Sequence, residues 1–259
     1  MILGRVSMRY YRDLVEMPCF SSQDLTSLIG SYDSARAILH RYMKAGLIER
    51  VKHNLYAVIS LETGQPIANR FAIGTRAAEG AYISHQSALE HHGFANQVFK
   101  EVYVTSPTRF RTFEYGGLRY IGIIPRINSG VEKRIGAVRV TSLERTVIDS
   151  INDIDKIGGL EELLKCLALI PSLKEDKLVA CMEDYGKGFL YQKTGYLLSF
   201  FKEEWRLSSE FFQLCRERIS STRKYLDHTS PFGLNNALHY EWGLIAPKNP
   251  LALLGECDE

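Results

Sequence analysis

The sequence predicts an α+β protein in which a small module of helices and one hairpin precedes a larger mixed α/β domain with a helical C-terminal half. Apolar residues recur at helical spacing before residue 46 and again beyond residue 142. Between them, from about residue 97 to 141, apolar and polar residues alternate as they do in strands. With 45% hydrophobic residues among 259, the chain can fill two cores. We therefore expect domains over residues 1–62 and 67–259, joined by the segment ETGQP.

The first two helices are predicted from spacing and from their end signals. A leading helix is expected over Arg5–Met17, where apolar residues recur on one side and a proline follows. Ser21 and Asp24 have the spacing of a capping box, with apolar residues on both sides of the cap. Gly30 then ends the second helix. The next helix must start within a few residues, so the turn between the two is short.

A third helix is expected over Asp33–Ala45, ended by Gly46. At 3.6 residues per turn its two sides differ sharply in character. One side is apolar and comprises Ala35, Ile38, Leu39, Tyr42, Met43 and Ala45. The other is polar and basic and comprises Ser34, Arg36, Ala37, His40, Arg41 and Lys44. We expect the basic side to face outward.

The apolar runs LIERV and LYAV follow, and Lys52, His53 and Asn54 join them as the tip of a hairpin. Two helices with a tight turn and a basic hairpin together predict a winged helix-turn-helix that binds DNA. The candidates for contacts to base edges are Tyr32, Ser34, Arg36 and His40. The candidates for contacts to phosphates are Arg41, Lys44, Arg50 and Lys52, with His53 beside them at the tip. Two other interpretations stay open, namely a winged helix that only packs or binds protein, and a helical hairpin misread as this motif.

Composition excludes several function classes. The net charge of +2 does not indicate nucleic-acid binding by itself, although residues 1–60 hold eight basic against five acidic residues. The five cysteines are widely spaced without a CxxC pair, so neither a zinc site nor a disulfide framework is expected. No apolar run is long enough for a signal peptide or a membrane span. We expect a cytoplasmic protein without metal or cofactor.

The middle of the chain predicts a helix around Ile67–Thr75, then a second short helix and several strands. Ser84 is placed to cap a helix that Gly93 ends, and the three histidines there lack a metal-ligand pattern. A strand at VYVTS, a hairpin turning at Gly116 and Gly117, and a strand at AVRVT follow. Four arginines in this region either extend a nucleic-acid face, receive an acidic partner or cover a solvated sheet: Arg109, Arg111, Arg119 and Arg126.

The remainder is predicted to be helical as far as residue 226, with an extended tail over residues 227–259. Ser142 caps a helix on which Glu144, Arg145 and Asp149 lie close together. A buried or interfacial ion network explains this group better than catalysis does. A metal-dependent nuclease would need converging carboxylates, for which the candidates are Glu101, Glu114, Glu132, Glu144 and Asp149. No clear strand supplies the preceding Asp of a nuclease pattern, so we expect no enzyme.

Several segments together resemble the AbiEi antitoxins of type IV toxin-antitoxin, or abortive phage infection, systems. The matching pieces occur in the expected order over nearly the whole chain: GLIERVKHNLYAV, AYISHQSALEHHGF, VTSLERTVIDSI with GGLEELLKCL, YQKTGYLLSFF and WGLIAPKNP. The resemblance implies a winged helix that represses its own operon by binding repeats in the promoter. It also implies a C-terminal domain that counters a nucleotidyltransferase-like toxin, with or without direct binding. A free-standing transcription factor that senses a ligand is the alternative.

Overall fold

The computed structural model describes residues 8–134, 138–227 and 236–255. Helices and strands alternate in the first half, and helices dominate from residue 143 to 217. The α-helices are α1 Tyr11–Val15, α2 Ser22–Ile29, α3 Tyr32–Lys44, α4 Arg70–Thr75, α5 His85–His92, α6 Leu143–Asn152, α7 Leu160–Ala168, α8 Glu175–Tyr185, α9 Gly188–Ser199, α10 Lys202–Trp205 and α11 Ser209–Glu217.

The strands are short, and two 3-10 turns, Ile154–Ile157 and Pro250–Leu254, complete the described elements. In chain order the strands are β1 Cys19–Ser21, β2 Ile48–Lys52, β3 Leu55–Val58, β4 Tyr82–Ile83, β5 Glu101–Thr105, β6 Phe113–Tyr115, β7 Leu118–Ile123, β8 Val131–Lys133, β9 Arg139–Thr141, β10 Lys224–Tyr225, β11 Asn236–His239 and β12 Leu244–Pro247. The expected mixed α+β class is confirmed.

The chain divides into two compact units, each assembled from separate stretches of sequence. Unit 1 comprises residues 1–83, 100–124 and 133–139. Unit 2 comprises residues 84–99, 125–132 and 140–259. The N-terminal helices and hairpin therefore share a unit with residues 63–83 and with the β5, β6 and β7 strands. The predicted domain boundary between residues 62 and 67 stays a prediction.

Unit 1 begins with α1, α2 and α3 packed on a three-stranded sheet of order β1-β3-β2. Cys19 pairs with Ala57 across β1 and β3, and Ile48 pairs with Val58 across β2 and β3, both antiparallel. Apolar side chains of all three helices and of the sheet form one core: Tyr11, Leu14, Phe20, Leu25, Ala35, Ile38, Leu39, Tyr42, Leu47, Ile48, Tyr56 and Val58. This core fixes which side of α3 points away from the unit.

The ends of α2 and α3 follow from local chemistry. The Ser21 hydroxyl accepts a hydrogen bond from the Asp24 N–H at 3.1 Å, and the Asp24 carboxylate accepts one from the Ser21 N–H at 2.7 Å. This reciprocal pair is the predicted capping box. Gly30 has φ +80°, a left-handed conformation that lets the chain leave α2. Ser31 then caps α3, so only two residues separate the helices.

The rest of unit 1 is organised around β5. This strand runs parallel to β7 and antiparallel to β4, and β6 pairs antiparallel with β7 through the turn at Gly116 and Gly117. Both glycines have positive φ, as the predicted two-residue hairpin requires. Helix α4 packs closely on these strands, because a Cβ at Gly74 would lie 2.6 Å from the Ile83 Cδ1 atom. This close packing joins residues 70–75 firmly to the sheet.

Unit 2 has a helical core that α6, α7, α8, α9 and α11 share. Helix α9 lies at its centre, with nine of its residues buried. The side of Gly195 lies against the Trp242 indole, where a Cβ would overlap the six-membered ring. The Trp242 ring therefore occupies the space in which any larger residue at position 195 would place its side chain.

Three predicted elements differ from the structure. Within the described residues, the leading helix spans only Tyr11–Val15 and not Arg5–Met17, of which residues 5–7 lie outside the described range. Helix α4 begins at Arg70, not near Ile67, because the Asn69 side chain caps the N–H groups of the next turn. Of the predicted extended tail, residues 228–235 and 256–259 lie outside the described range; in the described part β12 pairs with β10 and β11, and Trp242 is buried. Burial of the Trp242 side chain stabilises the packing of residues 236–247 against the rest of unit 2.

The described part of the chain contains no helix that combines the length and the apolar character needed to cross a bilayer.

Candidate nucleic-acid interface

Helix α3 has a buried side and an exposed side. Its core-facing residues are Ala35, Ile38, Leu39 and Tyr42, each less than a tenth exposed. Its outward residues are Ser34, Arg36, Ala37, His40, Arg41 and Lys44, all exposed. The two sides agree with the helical-wheel prediction, except that Met43 is 37% exposed. The basic side chains of α3 are accordingly available to solvent.

The cations on the exposed side of α3 are not paired with acidic side chains of the described residues. Arg36, Arg41 and Lys44 form no ion pair with any residue in the described ranges. The only acid on the helix is Asp33, in its first turn, where a negative charge favours the helix dipole. Three uncompensated cations on three turns of helix produce a local positive potential.

The start of α3 adds two polar groups beside this basic side. Ser31 caps the helix by accepting from the Ser34 N–H at 3.4 Å. Tyr32 is the first helical residue and is 66% exposed, so its ring and hydroxyl project from the surface. Residues at the start of a recognition helix are those that contact base edges in helix-turn-helix proteins.

The hairpin tip is basic, but its cations differ in position. Arg50 and His53 are exposed. Asn54 has φ +61° and its side-chain oxygen accepts from the Ser22 N–H, which ties the tip to the start of α2. The ladder shifts register between Arg50 and Lys52, so a bulge separates these two side chains.

Lys52 points into unit 1. Its ammonium donates to the Ala77 carbonyl and lies 5.2 Å and 5.3 Å from the ring centroids of Phe110 and Phe113. Burial lowers the pKa of Lys52, because the charged form loses hydration. Of the nine predicted contact residues, this is the one whose charged group is already bound inside the unit.

Sequence reasoning missed Arg76, which pairs with Asp24 in the first turn of α2. Partial burial of Asp24 opposes ionisation, but hydrogen bonds from Ser21 and Arg76 outweigh it and lower the pKa of the carboxyl. It also missed Arg139, which forms no ion pair with a described residue. No local signal marks either arginine, because they approach the N-terminal elements only through the tertiary fold.

Two of the carboxylates considered for catalysis, Glu144 and Asp149, have structural partners in unit 2. Arg145 is 1% exposed, and its Nε donates to both oxygens of Asp149 at 3.1 Å. Tyr185 donates to the same carboxylate, and burial together with that negative charge raises the tyrosine's pKa. Glu144 accepts from the Lys174 N–H. The ion network expected from SLERTVIDSI is therefore buried.

A second polar group in unit 2 contains a serine, a histidine and an aspartate. The Ser84 hydroxyl lies 2.9 Å from His85 Nδ1, and His85 Nε2 lies 3.4 Å from the Asp153 carboxylate. Neighbouring Arg126 and Lys156 also pair with Asp153. Ser84 and His85 are buried. Among the described residues, no three His, Cys, Asp or Glu side chains converge as metal ligands.

Taken together, the fold is a mixed α+β chain whose N-terminal helices and hairpin present an exposed basic surface. Residues 11–59 match the family model described as "Transcriptional regulator, AbiEi antitoxin". The resemblance to this antitoxin and transcriptional-regulator family is thereby confirmed for the segment that contains α1–α3 and the hairpin.

The whole fold also occurs in a solved structure. The crystal structure of the RV2827C protein from Mycobacterium tuberculosis is similar with a TM-score of 0.64 and 14% sequence identity, over 96% of this chain and 93% of that chain. At this identity the likeness concerns the fold. No curated protein matches the sequence.

Proposed function

We propose that this protein is a DNA-binding transcriptional repressor and antitoxin without catalytic activity. In this proposal the N-terminal elements form a winged helix-turn-helix, with α3 as the recognition helix and the β2–β3 hairpin as the wing. The observation that carries it is the exposed side of α3, on which three cations lack internal partners. The family match over residues 11–59 supports the same interpretation.

The mechanism is insertion of α3 into the major groove of promoter DNA, at repeats in the protein's own operon. Base edges are contacted by the residues at the start and centre of the exposed side, Tyr32, Ser34, Arg36 and His40. Phosphates are contacted by Arg41 and Lys44 on α3 and by Arg50 and His53 on the wing. Lys52 serves the wing mainly by holding it in place, since its ammonium is bound to Ala77.

The antitoxin part of the proposal concerns residues 67–259, which we propose to counter a nucleotidyltransferase-like toxin encoded nearby. The family description supports an antitoxin role in general terms. The proposed setting for both activities is the cytoplasm. Direct binding of the toxin is not required by the proposal.

Replacing Arg36 and Arg41 together by alanine tests the DNA-binding half. The double variant is expected to abolish binding to a fragment of its own promoter, measured by fluorescence anisotropy, because both residues are exposed and lack structural partners. Neutralising some four to six phosphates gives the native protein a log–log salt slope of roughly −4 to −5.

The matched control removes two exposed arginines from unit 2, Arg218→Gln with Arg223→Gln, and is expected to leave promoter affinity within about threefold. Thermal unfolding of each variant verifies the fold. Undiminished affinity in the Arg36/Arg41 variant would rule out α3 as the recognition helix.

A further inference from the structure

Unit 1 contains a basic cleft that is lined by Lys52 and His53 of the nine predicted contact residues and otherwise by residues outside that set. It has a volume of about 690 Å³ and is open to solvent. One wall comprises the start of α2 and the hairpin tip, and the other comprises residues 75–80 and Arg139. All of these residues belong to unit 1, so the cleft and α3 are parts of the same compact body.

Two contacts across the cleft hold its walls together. Arg76 on one wall forms an ion pair with Asp24 on the other. Lys52 beside the tip donates to the Ala77 carbonyl, and its ammonium lies over the Phe110 and Phe113 rings. The cleft is therefore formed before any ligand arrives, which lowers the entropic cost of binding.

The unused charge in the cleft is positive. Arg76 uses one terminal nitrogen for Asp24, remains 40% exposed and keeps further N–H donors, since a guanidinium has five. Arg139 pairs with no acid in the described residues, and its Nη1 lies near Gly80. Glu79 is the only other acid that lines the cleft. Because the Arg76 and Asp24 charges offset each other, Arg139 and Lys52 stand against Glu79, and the lining keeps one net positive charge.

The other lining groups favour a hydrophilic anion. Gln23, Ser27, Asn54 and Thr75 provide amide and hydroxyl groups, whereas the apolar lining is limited to small patches around Leu55 and two alanines. Ligand sites for apolar molecules are lined mainly by hydrophobic and aromatic side chains. Guanidinium groups with surrounding hydrogen-bond donors match the geometry and charge of phosphate oxygens.

We propose that this cleft is a binding site for the DNA backbone, in which Arg76 and Arg139 contact phosphates that flank the bases read by α3. The inference rests on the proposed function, and it extends the interface from the wing tip to residues 75–80 and 139. The cleft borders His53 at the tip, so a strand that passes the wing continues along it. Segments that follow the winged helix in sequence thus take part in holding the operator.

The test is the double variant Arg76→Gln with Arg139→Gln, measured by anisotropy on promoter fragments at several salt concentrations. Affinity is expected to fall about tenfold or more at 0.1 M salt, equally for specific and random DNA. The log–log slope is expected to become less steep by about 1.8, because each phosphate contact contributes about 0.9. The variant Arg76→Lys with Arg139→Lys keeps both charges and is expected to keep most of the affinity.

Three outcomes decide the inference. An unchanged slope and affinity in the Gln variant, with binding abolished in the Arg36/Arg41 variant, would overturn the inference and leave the proposed function standing. Undiminished binding in the Arg36/Arg41 variant would instead contradict the proposed function. Stabilisation of the native protein by millimolar ATP, lost in the Gln variant and without an effect on DNA affinity, would assign the cleft to a small nucleotide and overturn the DNA assignment. Thermal unfolding excludes misfolding as the cause.

Discussion

Gly195 is a position in the core of unit 2 at which the packing leaves no room for a larger side chain. It lies in the middle of α9, where glycine costs about 1 kcal/mol relative to alanine in an ordinary helix. Here the cost is offset by packing, because the ring of buried Trp242 occupies the place of a side chain. The substitution Gly195→Ala is expected to destabilise the protein by about 1–3 kcal/mol despite the better helix propensity. Urea denaturation measures this difference.

A double-mutant cycle isolates the cause. In a Trp242→Leu background the six-membered ring is gone, so adding Gly195→Ala is expected to cost much less than in the native chain. Equal costs in the two backgrounds would mean that the ring does not exclude the methyl group.

The α2 element depends on its capping box more than on its composition. Its eight residues are too few to form a stable helix alone, and only Leu25 is fully buried. The variant Ser21→Ala removes the acceptor of the Asp24 N–H and is expected to lower stability by about 1 kcal/mol. The neighbouring control, Ser22→Ala, is expected to change stability by less than about 0.5 kcal/mol. A larger loss from the control than from Ser21→Ala would disprove the role of the cap.

Elements with strong local signals were predictable from the sequence. The capping box, the glycine after α2, the two sides of α3 and the turn at Gly116 and Gly117 depend on residues within a few positions of one another. The inward position of Lys52 was not predictable, because its partners are Ala77 and two phenylalanines beyond residue 109. The strands over residues 236–247 were missed because four-residue strands carry too little alternation.

The β2–β3 hairpin, which is the wing in the proposed function, is fixed by contacts to other parts of unit 1. Besides the Lys52 contacts, Glu49 of β2 accepts a hydrogen bond from Tyr115 of β6. Both contacts lie within unit 1 and link the hairpin to strands that follow it in sequence. In the proposed complex with DNA, a hairpin fixed in this way loses little conformational freedom on binding, so its residues contribute more of their interaction energy to affinity.

At the scale of the whole molecule, two compact units suggest two separable activities. The proposed DNA contacts all lie in unit 1, whereas unit 2 contains the larger core and the polar networks around Asp149 and Asp153. If the proposed toxin is encoded nearby, the full-length Arg36→Ala, Arg41→Ala variant is therefore expected to neutralise it as well as the native protein does. Growth after co-expression of toxin and variant measures this.

The control for the rescue experiment is the variant with Asp149→Asn, in which Arg145 loses its charged partner inside unit 2. Removing one member of a buried pair is expected to cost about 3–5 kcal/mol and to reduce rescue through lower abundance. Loss of rescue in the DNA-binding variant at normal protein levels would show that antitoxicity requires operator binding.

The contact between Lys52 and Ala77 also has a consequence for synthesis on the ribosome. The lysine is translated 25 residues before the carbonyl that receives it, and the two aromatic rings that cover it are translated later still. When only the first sixty residues of a nascent chain have left the ribosome, Lys52 therefore lacks the partners that fix the hairpin tip. Under the proposed repressor function, operator binding therefore requires that the central strands have emerged, and an unfinished polypeptide is not expected to repress the gene that encodes it.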